Sequence, residues 1–231
     1  MQAKEIKNKL RLLIKEASTV DSSLAARLDE IDRWVKDIKP GSLTAKKFVI
    51  LFLQQIVKDA QIYLDIKTLG SQTEQEVYYE RMTPTEKYWY STLFPTWLNQ
   101  NDPKFYIWRQ KLMAEEWDEE NIQIIQSISN NIKERGGTFL WRYVADLSMA
   151  TDIIVSSRQG KSLCIQITSL RKELSQEKSD NWKNSLIAWG IERGLFLNYN
   201  PGKYNFVNQI ANITLYNSDN LRTGVYLEFS M

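Results

Sequence analysis

The sequence predicts an α+β (α/β) fold: an N-terminal helical bundle followed by an α-β-β-β-α-β core with a mixed central sheet. Two observations predict the core. A helix-period stretch over residues 118–134 stops at Gly136-Gly137, and the residues beyond it change to short apolar runs, TFLWRYVA, TDIIVSS and SLCIQITSL. A second helical stripe and a further run, LFLNYN, complete the order. A third observation predicts the bundle: ahead of residue 118 the apolar residues recur at helical rather than alternating spacing. The chain is accordingly divided into a mainly helical region, 1–117, and an α/β core, 118–231.

The first two helices carry Ile6, Leu10, Leu13 and Ile14, then Leu24, Leu28, Ile31 and Val35, with STVDSS as the break between them. Lys39-Pro40-Gly41 stops the second, and Ser42 or Thr44 is placed to cap the next. FVILFLQQIVKDAQIYLDIKTL is a long apolar helix ending at Gly70. Such a bundle serves as scaffold or as a surface for a protein partner. From 71 to 117 the pattern loses regularity, apart from a capped start at TPTEKYWYSTLF with Pro84 in the first helical position. Lys87, Tyr88, Trp89 and Tyr90, and Lys104, Phe105, Tyr106, Trp108 and Arg109, interleave aromatic and basic residues as base-stacking surfaces do. At helical spacing such aromatics are more often core.

In the core, Ile122, Ile125, Ile128 or Ser129, and Ile132 line one face of a helix from about Asp118 to Glu134. The second and third strands are joined by Arg158-Gln159-Gly160-Lys161. Asp180 is placed to cap a helix bearing Trp182, Leu186 and Trp189, and Pro201-Gly202 closes the strand after it. The tail beyond 203 adds one or two strands, or a helix and a strand.

Composition narrows the chemistry. With 43% hydrophobic and 25% charged residues, and eight Trp, the chain reads as a folded soluble protein. It contains no histidine, which removes Ser-His-Asp triads, Cys-His dyads and histidine-containing zinc sites together. The single Cys164 lies in an apolar run and forms no intrachain disulfide, which with the absence of an export signal or anchor predicts a reducing, cytoplasmic setting. Basic and acidic residues number 21 and 21 over 1–149 and 9 and 7 over 150–231, so charge alone announces no nucleic acid.

The hairpin brings polar residues together. Partners across an antiparallel hairpin sum to a constant, so a turn centred at Gln159, or between Gln159 and Gly160, sets Asp152 opposite Gln166 or Ile167. Both polar residues interrupt nearly apolar runs, and a buried polar group costs free energy unless it is hydrogen-bonded or liganded. Thr168 shares the strand face of Gln166. A carboxylate and an amide oxygen at a strand edge are hard ligands of the kind Mg²⁺ accepts, and a helix carboxylate, Glu119, Glu120 or Glu134, is available to add to them. The same residues also suit a structural polar pair within a sheet.

Strand-Asp152, hairpin, strand with Gln166-Ile167-Thr168, then helix and strand, resembles the PD-(D/E)xK (restriction-endonuclease-like) nuclease core over roughly 118–201. QITSL with NWKNSLIAWGIERGLFLNYNPG is also similar to a stretch of uncharacterised cyanobacterial proteins. The nuclease resemblance implies a metal-dependent endonuclease that hydrolyses DNA phosphodiesters. Asp152 and Gln166 would hold Mg²⁺, with Mn²⁺ as substitute, Glu119 would assist, and homodimerisation would follow by analogy. Thr168 stands where the family has its lysine, and Lys161, Arg171 and Lys172 are the nearby cations in sequence. That departure keeps two alternatives open: a catalytically inactive nuclease-like module that binds nucleic acid or a protein partner, and a helix-rich adaptor.

Overall fold

A computed structural model describes the chain except for residues 1–2, 39–41, 116–118 and 170–171, with the side chains of 3, 42, 119–121 and 172–175 also left out. The helices are α1 (Ala3–Val20), α2 (Ser22–Asp37), α3 (Lys47–Lys67), α4 (Gln72–Glu80), α5 (Pro84–Tyr88), α6 (Phe94–Asn99) and α7 (Phe105–Ala114). They continue with α8 (Glu119–Glu134), α9 (Tyr143–Met149), α10 (Lys172–Ala188) and α11 (Phe206–Asn220). The strands are β1 (Thr138–Leu140), β2 (Ile153–Ser156), β3 (Ser162–Thr168), β4 (Arg193–Asn198) and β5 (Val225–Ser230). Among the described residues no helix is long and apolar enough to cross a membrane.

The fold is α+β and divides into two compact units, Met1–Met82 with Phe94–Trp117, and Thr83–Leu93 with Asp118–Met231. The first is all helical. Asp21 caps α2 by accepting from the Ser23 and Leu24 amides and also accepts from the Tyr63 hydroxyl. Trp34, Phe52 and Trp108 pack edge-on or tilted in its core. The buried Asp102 carboxylate accepts both indole N–H groups, from Trp97 at 3.1 Å and Trp108 at 3.0 Å. The expected cap at Ser42 or Thr44 does not form. Ser42–Ala45 make a 3₁₀ turn instead, and α3 starts after Lys46 without a side-chain cap.

The second unit carries a five-stranded mixed sheet in sequential order. β1, β2 and β3 run antiparallel, and β3, β4 and β5 run parallel. Two expectations are corrected here. TFLWRYVA does not form one long strand: β1 ends at Leu140, paired with Ile154 of β2, and Tyr143–Met149 turn into α9. Nor does Asp180 cap a helix. α10 begins at Lys172, and Asp180 lies inside it, accepting from Gln176 Nε2. The tail resolves into the helix-and-strand alternative, α11 and β5.

The sheet separates two layers. On one face Ile153, Val155, Leu163, Ile165, Leu195 and Leu197 pack against Ile128 and Ile132 of α8 and Ile210 and Ala211 of α11. The other face meets α10. A Cβ on Gly194 would lie 2.3 Å from Leu186 and 2.7 Å from Trp182, so only glycine lets α10 settle this close to β4. Since Gly194 pairs with Cys164 and Phe196 with Gln166, the residues Cys164, Gln166 and Thr168 share the α10 side.

Arg193 fastens the end of α11 to the sheet. Its guanidinium donates to the carbonyls of Asn217 (3.2 Å), Ser218 (2.5 Å), Leu221 (3.0 Å) and Ser162 (3.2 Å). It thereby satisfies the terminal carbonyls of a helix whose dipole favours a cation there. Burial pushes its pKa down from the ordinary guanidinium value, against the pull of Tyr88, Asp219 and Cys164. Cys164 is itself buried, and burial raises its thiol to about 12, so it behaves as the small core residue the sequence suggests.

Candidate functional site

The ladder between β2 and β3 pairs Ile153 with Ile165 and Ser156 with Ser162, a constant sum centred on Gln159. One step further along the same register lies Asp152, just ahead of β2, with Gln166 as its neighbour. Gln166 Nε2 donates to Asp152 Oδ2 at 2.7 Å, and the Ile167 amide donates to the same oxygen at 2.6 Å. Both side chains are at least nine-tenths buried, with Asp152 8% exposed. The amide nitrogen of Gln166 faces the carboxylate, which turns its oxygen away.

The approach to Asp152 is strained. Ala150 closes α9 with φ +50 and ψ 44, in the left-handed region that an alanine enters at a cost of about 1–2 kcal/mol. Around it, the Thr151 amide donates to Ala145 O, and Trp189 Nε1 donates to Ser148 O at 2.9 Å. These bonds hold the turn that delivers Asp152 to the head of β2. Backbone strain held by its surroundings beside a polar cluster is a common mark of a functional position.

A cation reaches the end of β3 from α10. Lys178, on α10, donates from Nζ to Thr168 Oγ1 at 3.0 Å. Its charge also acts on Asp152. Thr168, having accepted from Lys178, keeps its own hydroxyl proton to donate. The cluster is therefore Asp152, Gln166, Thr168 and Lys178, a carboxylate, an amide, a hydroxyl and an ammonium on the α10 side of the sheet.

The remaining sequence candidates fare differently. Glu119 and Glu120 have side chains outside the described residues. Glu134 is exposed at the end of α8, whose packed residues lie on the opposite face of the sheet, and it does not join Asp152. Lys161 is exposed in the hairpin turn, two residues from Gln159. Arg171 is outside the described residues, as is the side chain of Lys172. Among the described residues no three acidic or thiol side chains converge. Of the aromatics weighed for base stacking, Trp89, Tyr90, Phe105 and Trp108 are core, while Tyr106 is exposed.

Burial is the main influence on Asp152, pushing its pKa up from 3.8 to about 6, against the opposing pull of the Ile167 amide, Lys178 and Gln166. A desolvated carboxylate of this kind is stabilised by an added cation. The oxygens of Asp152 and Gln166 fit Mg²⁺ or Mn²⁺ in kind, and such ions are commonly held by one or two carboxylates, with waters and substrate phosphates completing the shell.

The raised value has a consequence for stability. A carboxyl whose folded pKa lies above its unfolded one stabilises the fold below the unfolded value and loses that contribution as pH rises through the folded value. The window is therefore about pH 4 to 6. Measured by urea unfolding without divalent metal, the stability of the parent relative to Asp152→Asn is expected to fall by up to about 3 kcal/mol as pH is raised from 4 to 8. A difference independent of pH would contradict the assigned environment.

Compared with known proteins, the chain matches no family model, no curated protein and no solved structure.

Proposed function

We propose that the protein is a divergent metal-dependent nuclease of the PD-(D/E)xK type that hydrolyses DNA phosphodiesters at the Asp152–Gln166–Thr168–Lys178 cluster. The observation that carries this reading is the Lys178 ammonium, 3.0 Å from the threonine that stands where the family has its lysine. A cation delivered from the neighbouring helix restores the charge that the strand lacks.

In this reading Asp152 would hold the divalent ion through a carboxylate oxygen, and Gln166 would join through Oε1 once its amide turns over from the Nε2-to-Asp152 bond. When bound, the ion polarises the phosphoryl group and lowers the pKa of a coordinated water. The chain's own residues position the substrate. Lys178 faces the negative phosphate, and the Thr168 hydroxyl donates to a phosphate oxygen while Lys178 fixes its orientation. The Ile167 amide, 2.6 Å from Asp152 Oδ2, keeps the carboxylate in one orientation.

A second reading draws on a separate observation. Asp152 Oδ2 already accepts two N–H donors. That saturated oxygen also suits a nuclease-like module without catalysis that binds nucleic acid, or a protein partner through its N-terminal helices. Incubation with single- and double-stranded DNA in Mg²⁺ or Mn²⁺ separates the two. The nuclease reading expects cleavage that a chelator abolishes; binding without cleavage selects the second.

A further inference from the structure

The loop between β4 and α11 is joined to the cluster at its root. The Tyr199 amide donates to Thr168 O at 2.8 Å, so the loop leaves the sheet beside the strand that carries the candidate site. Tyr199 stacks on Phe206 with centroids 4.8 Å apart and planes 15° apart, which pins the two ends of the loop together. Within it the Gly202 amide donates to Asn200 Oδ1 at 2.9 Å and the Lys203 amide to Asn200 O at 3.0 Å. A tip fixed by these bonds presents Lys203 exposed and Tyr204 fully exposed, at 105%.

Among the described residues the other large hydrophobics that reach solvent remain part-covered, the next being Tyr216 at 68%. A whole aromatic ring held in water on a braced loop is a surface available for stacking. Tyr204 is five positions beyond Tyr199, so its Cα lies no more than about 18 Å from that of Tyr199, whose amide bonds the end of β3, a span of a few nucleotides.

We propose that the 200–204 loop is a subsite for single-stranded DNA, in which the Tyr204 ring stacks on an unpaired base and Lys203 faces the adjoining phosphate. The strand then runs back over Thr168 and Lys178; this last step rests on the nuclease reading above. Single-stranded DNA is favoured because a lone ring reaches the face of a base only when that base is not already stacked within a duplex. Charge points the same way: nine basic residues against seven acidic over 150–231 make a weak electrostatic claim on a duplex, whereas stacking supplies affinity without sequence preference.

The test uses the full chain and fluorescence anisotropy of a labelled oligothymidine and of a duplex of equal length, at low salt and without divalent metal. The parent is expected to prefer the single strand. Tyr204→Ala is expected to weaken single-strand binding about 5- to 150-fold, and Tyr204→Phe, which keeps the ring, to remain within about twofold of the parent. Circular dichroism verifies that each variant is folded. If Tyr204→Ala binds the single strand as the parent does, the subsite is overturned and the Asp152 site is untouched. If binding depends on Tyr204 but DNA is never cleaved in Mg²⁺ or Mn²⁺, the subsite stands and the nuclease reading falls. A parent that binds neither DNA overturns the subsite, while cleavage in Mg²⁺ or Mn²⁺ decides the nuclease reading separately.

Discussion

Substituting Lys178 with Met is expected to lower the turnover of DNA cleavage by about 10²–10³-fold, the loss typical when one charge-stabilising donor is removed from a site. Methionine keeps most of the side-chain volume against the sheet while deleting the ammonium, so packing is little changed. A second effect identifies the role. Lys178 opposes the upward push of burial on the Asp152 pKa. Without it that pKa rises further, and the acid limb of the pH–rate profile moves to higher pH. Steady-state kinetics over pH 5 to 9 read both effects. A loss of turnover with an unmoved acid limb would assign Lys178 a role apart from Asp152.

Arg193→Met is expected to destabilise the protein by about 2–3 kcal/mol, the scale for removing a partly buried charged hydrogen-bond donor and leaving its acceptors unpaired. Its guanidinium joins four carbonyls drawn from the end of α11, the residue after it and the start of β3. Asn217 O keeps a second donor, the Leu221 amide at 2.8 Å, while the end of α11 loses the cation its dipole favours. Urea unfolding, with an unchanged slope and a lower midpoint, would show the effect as a loss of stability. A shift below about 1 kcal/mol would mean that water takes over the carbonyls.

Some of this was legible in the sequence, for reasons that differ from residue to residue. Hairpin arithmetic depends only on the constant sum across a ladder, and the turn centre at Gln159 places Asp152 beside Gln166 whatever the surroundings. Period-two alternation likewise puts Thr168 on the face of Gln166. Lys178 escaped because residues 172–181, KELSQEKSDN, lack an apolar stripe, so the first half of α10 reads as linker until its second half supplies Trp182 and Leu186. TFLWRYVA misled for the opposite reason. Its residues favour a strand, but pairing with β2 ends at Leu140 and the chain from Tyr143 is taken into α9. Nothing in NPGKYN distinguishes an exposed Tyr204 from the buried tyrosines, because exposure is set by the path of the loop.

The most direct test of the central claim is cleavage of DNA in Mg²⁺ or Mn²⁺ by the parent and by Asp152→Ala, both verified as folded. The cluster predicts that the parent cleaves and that the substitution reduces cleavage to background. Cleavage by Asp152→Ala at the parent's rate would contradict it.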